Sequence, residues 1–167
     1  GHTFPNQWLT FTCPQFAEDS EAFIMGWRTS MYLRGKPIMA LHIKIGQEQY
    51  SFPAIFGSVH CPQSKNPFYF TFEATRFKKK FVGQIMMNPE HLAIFQEKDP
   101  AGPKTFHIRT MMASLTFMIY EKKQGRWDLL QTLNAPLQCS FSLGAKEGHT
   151  LYHQIDSYPN LNIISSE

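Results

Sequence analysis

Apolar and polar positions alternate over long stretches of this chain. From Met111 the odd positions Met111, Ala113, Leu115, Phe117 and Ile119 are apolar, while Thr110, Ser114 and Thr116 between them are polar. That is the period of a half-buried strand. It leads into a charged turn, Glu121-Lys122-Lys123-Gln124-Gly125-Arg126, and a second strand opening with Trp127. Phe106 to Leu133 is therefore predicted as an antiparallel hairpin, with Gly125 supplying the positive φ that a short connection needs. Ile38 to Ile45 is predicted as a strand, with Met39, Leu41, Ile43 and Ile45 on one face and His42 and Lys44 on the other. Phe68, Phe70 and Phe72 alternate with Tyr69, Thr71 and Glu73, giving a strand from Pro67 to Ala74 that is expected to pair with extended Phe81 to Met87.

Two segments carry helical signals. Phe23, Ile24, Trp27 and Met31 fall on one face at helical spacing, acids Glu18, Asp19 and Glu21 precede them, and Arg34 sits before the stop at Gly35 and Pro37. Asn88-Pro89-Glu90 reads as a capped helix start with proline at the first position, running to about Lys98. The opening, Thr3 to Phe16, is expected to hold a short strand between loops, and Leu137 to Leu143 one more edge strand. These elements predict an α+β fold, an antiparallel twisted β-sheet packed against two or more α-helices in a single layer pair. The expected organisation is an N-terminal segment over 1–7, a globular domain over 8–145 and an extended polar tail over 146–167.

Composition sharpens this picture only partly. A chain of 167 residues with 43% hydrophobic content and 15 phenylalanines suits one folded domain rather than a disordered chain. Its formal charge of +3 permits anionic partners without requiring them. Three scattered cysteines, Cys13, Cys61 and Cys139, fit reduced thiols better than a disulfide framework. No apolar run approaches the length of a membrane-spanning helix, and no signal-peptide pattern opens the sequence.

Enzyme chemistry finds little support. His60-Cys61 and His149-x-x-x-His153 are the nearest approaches to metal-ligand spacing, and neither resembles the paired ligands of a structural zinc site. There is no Gly-x-Ser-x-Gly elbow and no phosphate-binding glycine loop; Asp156 near His153 is the one suggestive acid–base pair. The residues assign no catalytic group, metal or cofactor.

Basic clusters are better candidates. Arg76, Lys78, Lys79 and Lys80 form one, Lys122, Lys123 and Arg126 another, and Lys36 stands alone. A solvated turn that keeps sheet edges apart is the ordinary reading of such a cluster. Near an anionic bilayer, each lysine would instead add about 1 kcal/mol, weakened by salt. Phe52-Pro53-Ala54-Ile55-Phe56 before Gly57 is an apolar loop, either folded onto the core or exposed as a plug for a membrane or neighbouring subunit. Basic surface with an apolar tip is the two-signal logic of peripheral membrane attachment.

Three collinear stretches carry a resemblance to a known family. They are Trp27 with Met31-Tyr32 and Gly35-Lys36-Pro37; Pro53-Ala54-Ile55-Phe56-Gly57; and Phe106-His107-Ile108-Arg109 with Ile119 through Leu129. Together, over roughly residues 8 to 133, the chain resembles the matrix proteins of rhabdoviruses. The resemblance implies a non-enzymatic virion protein that self-associates beneath the envelope, bridges membrane and ribonucleoprotein, condenses the latter and drives virion assembly and budding, with partners in the anionic membrane, the viral nucleocapsid protein–RNA complex, and viral glycoprotein and host factors. It implies location at the inner face of the envelope and in host cytoplasm, and a contact role for Pro53 to Phe56. The family's basic, proline-rich arm, which precedes the globular domain, and its Pro-Pro-x-Tyr motif have no match among these residues. A peptide-binding β-rich adaptor is the alternative expectation.

Overall fold

In the computed structural model, residues 7–30, 37–54, 58–62, 66–98, 104–147 and 163–166 are described. They form an eleven-stranded sheet: β1 (Gln7–Cys13), β2 (Phe23–Ser30), β3 (Pro37–Ile45), β4 (Glu48–Phe52), β5 (Val59–His60), β6 (Tyr69–Arg76), β7 (Lys79–Met86), β8 (Ala93–Lys98), β9 (Lys104–Lys123), β10 (Arg126–Lys146) and β11 (Ile163–Ser166). The order is β4-β3-β2-β1-β10-β9-β7-β6-β5, with β8 on the first half of β9 and β11 parallel to β8. Among the described residues there is no α-helix, so the expected α+β layer pair is corrected to a nearly closed, almost wholly antiparallel β-sheet. The helix-backed sheet implied by the family resemblance falls with it, because Trp27 lies in a strand.

The first expected helix is β2, and its burial explains the misreading. Ile24, Gly26 and Arg28 point inward while Met25 and Trp27 point out, so the apolar positions do not mark the core face. Gly26 faces inward because the Phe11 ring covers it: a Cβ there would lie 2.7 Å from that ring. Arg28, 3% exposed, takes a second inward place, its Nη1 donating to Cys61 Sγ at 3.4 Å. Strict alternation was present, written in glycine and arginine.

The second expected helix reduces to a single 3-10 turn over Pro89–His91. Its capping signal is real, since Asn88 Oδ1 accepts from the Glu90 amide at 3.0 Å. The chain then extends into β8 because the long strand β9 offers an edge, pairing Ala93 with Arg109 through Lys98 with Lys104. Leu137 to Leu143, expected as an edge, lies inside β10, whose C-terminal half pairs with β1 on one side and β9 on the other. Register shifts around Cys139 and a φ of +55° at Leu137 bend β10 there.

The core lines the inside of the curl. Phe11 stacks on Phe72 with centroids 5.2 Å apart, and Phe81 on Phe117 at 5.9 Å. Such pairs contribute about 0.5–1.5 kcal/mol beyond their buried area. Among the described residues, side chains link the two sides of the curl: Tyr50 on β4 meets Phe81 on β7 at 4.8 Å, and Lys79 on β7 pairs with Glu48 on β4 at 3.2 Å.

Candidate functional site

The two basic turns converge. β6–β7 turns at Phe77-Lys78 and β9–β10 at Gln124-Gly125, and β7 pairs with β9, setting Lys79 against Glu121 and Lys80 against Tyr120. The Lys122 amide donates to the Lys78 carbonyl at 2.8 Å, so the hairpins end side by side. Gln124 and Gly125 have φ of +51° and +79°, the paired left-handed residues of a twist-matched hairpin turn.

Phe77 stands at the apex of the neighbouring turn. It is 93% exposed and holds a φ of +54°, in a turn position that glycine ordinarily fills. A bulky residue there stores about 1–3 kcal/mol of backbone strain, the kind of outlier that collects at binding sites. Its ring has no core to fill.

The surrounding cations divide by what they touch. Lys79 is held by Glu48, and Arg76 donates to the Ser51 carbonyl while covering the Phe52 ring at 4.7 Å, so both serve sheet closure. Burial is the largest single influence and would lower the Lys79 pKa, but the Glu48 carboxylate and the Tyr50 oxygen together outweigh it and the shift is upward. Glu48 is displaced downward, chiefly by the Tyr50 hydroxyl donating to it at 2.7 Å and then by Lys79. Lys123 pairs with Glu121 at 3.6 Å. Lys78, Lys80, Lys122 and Arg126 have no carboxylate partner among the described residues. Lys80 Nζ sits 5.0 Å from the Tyr120 and Trp127 ring centroids, and Lys122 Nζ 5.8 Å from that of Trp127. Those rings hold two ammonium groups on one outer face without neutralising them.

The apolar loop divides differently. Phe52 and Ala54 are core residues, 2% and 8% exposed, Phe52 lying edge-on to Phe81. Neither is available as an exposed plug, and of the loop's described members only Pro53 is exposed. Ile55 and Phe56 lie outside the described residues, as do Lys36, His149, His153 and Asp156. Phe77 is the residue the sequence reading missed. It sat unremarked inside the basic cluster, and the available signal was a phenylalanine between cations at a turn, where alternation places no core position.

A second concavity lies on the outer face of β1, β10, β9 and β8. It encloses about 630 Å³ over a floor that includes Thr10, Thr12, Ser140 and Ser142, with Arg109 and Met111 at its sides. No helix among the described residues is long and apolar enough to cross a membrane. No protein-family model, curated protein or solved structure matches this chain.

Proposed function

We propose that this protein is a non-enzymatic, peripheral membrane-binding structural protein of the viral matrix kind, docking to anionic bilayers through its paired hairpin tips. The observation that carries this reading is Phe77, exposed at a strained turn and surrounded by cations without carboxylate partners. Four such cations, Lys78, Lys80, Lys122 and Arg126, add about 1 kcal/mol each near an anionic surface. Insertion of the Phe77 ring adds roughly 1.5–3 kcal/mol if its burial is complete. Neither contribution alone anchors a protein, and together they do. In this reading the rest of the sheet is a rigid platform for lateral self-association and for contact with a nucleocapsid.

Co-sedimentation with phosphatidylserine-containing vesicles tests it. The wild type is expected to pellet at low salt and to be released as salt shortens the Debye length from about 10 Å at 0.1 M to about 3 Å at 1 M. Replacing the four cations with glutamine is expected to leave the protein folded in the supernatant. Equal pelleting by wild type and the four-glutamine variant would remove the proposal. The groove beside Arg109 favours a second reading, a peptide-binding adaptor. That reading expects a protein that ignores vesicles of any charge and loses a partner on Arg109→Glu.

A further inference from the structure

Two of the three cysteines form a cross-strand pair. Cys13 ends β1, and β1 runs antiparallel to β10 with Phe11 opposite Phe141 and Thr12 opposite Ser140. One further step in that register sets Cys13 against Cys139. Both side chains are fully buried on the inner face, and each thiol is close enough to shift the other's pKa. Directly opposed Cα atoms on antiparallel strands lie about 4.5–5.5 Å apart, inside the roughly 4.4–6.8 Å that a disulfide spans.

We infer that Cys13 and Cys139 are a redox modification site, oxidised by a small peroxide to an intramolecular disulfide. The Cys13 thiolate attacks one peroxide oxygen; the O–O bond breaks, hydroxide leaves and takes up the thiol's former proton as water, and Cys13 becomes a sulfenic acid. The Cys139 sulfur then attacks the Cys13 sulfur, the S–O bond breaks, and the hydroxyl departs with the Cys139 proton as a second water. Two thiols and one hydrogen peroxide thus give one disulfide and two waters. The proximity of the two thiols lowers the Cys13 pKa and raises that of Cys139, which favours Cys13 as the attacking sulfur. Cys61 stands apart, buried near Arg28 and with its pKa raised by that burial.

The location gives the bond a consequence. The β1–β10 seam joins the block β1 to β4 to the rest of the sheet, so a bridge across it fastens the two halves together. It closes most of the chain into one loop, and long loops lose the most unfolded-state entropy when cross-linked. Both sulfurs are fully buried, so their oxidation proceeds through local opening at the end of β1, where Cys13 is the last residue. None of this depends on the membrane reading.

The test treats the full chain with hydrogen peroxide, unfolds it, alkylates remaining thiols and maps the peptides. The expected result is one alkylated cysteine, Cys61, a linked peptide containing Cys13 and Cys139, and a thermal midpoint several degrees higher that dithiothreitol reverses. Cys61→Ala is expected to keep the linked peptide and retain no alkylatable thiol, a readout that does not require Cys13→Ser or Cys139→Ser to fold. Three alkylatable thiols after treatment, a sulfinic acid at Cys13 without the linked peptide, or a bond to Cys61 would overturn the inference.

Discussion

At the residue scale, the molecule turns on positions where side-chain size and backbone conformation conflict. Gly83 pairs with Phe72 across β7 and β6, and a Cβ at Gly83 would lie 2.0 Å from the Phe72 ring. That ring is fixed between Phe11 and Phe117, so it has no room to yield. Gly83→Ala is expected to destabilise by about 1–3 kcal/mol, the usual range for overpacking, in urea unfolding; an unchanged midpoint would mean the ring moves freely. Phe77 is the opposite case, strained and solvent-facing. Phe77→Gly relieves the left-handed penalty of roughly 1–2 kcal/mol, partly offset by glycine's greater unfolded-state freedom. The expected outcome is a folded protein at least as stable as wild type that binds anionic vesicles more weakly. A gain in stability with undiminished binding would separate Phe77 from the membrane role. Sequence alone showed Phe77 and its lysines but not their exposure, because a phenylalanine is ordinarily core.

At the scale of elements, alternation was legible wherever inward positions were apolar and outward ones polar. β3, β6 and the second half of β9 satisfy that condition, with Leu115, Phe117 and Ile119 buried as their period requires, whereas Met111, expected on the core face, is exposed and Thr110 is buried instead, and Leu129 and Leu130 on β10 face solvent. β2 violates it with inward Gly26 and Arg28, and β8 follows a genuine Asn88 cap that led into one turn only. Both errors arise from tertiary partners: the Phe11 ring above Gly26 and the free edge of β9 beside β8. Local signals do not contain those partners. Closure between β4 and β7 depends on another nonlocal contact, the Glu48 carboxylate between Tyr50 and Lys79. Its pKa is lowered from the ordinary 4.5, so the folded state binds protons less readily than the unfolded one. The stability it contributes is present above that value and lost as pH falls through the lowered one. Thermal midpoints are expected to drop on acidification below about pH 4.5, and less steeply in Glu48→Gln. Identical slopes in the two proteins would assign acid sensitivity elsewhere, for example to Glu18, whose pKa is lowered chiefly by the Asn134 amide.

At the scale of the whole molecule, the strands combine into something no single segment announces. β9 and β10, 20 and 21 residues long, run through the structure: the C-terminal half of β10 joins β1 and the first half of β9 joins β8, while their other halves carry the basic tip. The sequence separates Arg76–Lys80 from Lys122–Arg126; the β7–β9 pairing brings them together. Two solvated turns thereby become one cationic end with an aromatic apex, while Phe52 and Ala54 are buried in the core. Burying that apex in a bilayer is the central claim, and tryptophan emission at position 77 tests it most directly. Phe77→Trp, measured as a difference from wild type, is expected to shift to shorter wavelength on adding phosphatidylserine vesicles and to stay unshifted with phosphatidylcholine alone. Emission at the water-exposed wavelength while the protein is vesicle-bound would contradict insertion of this tip.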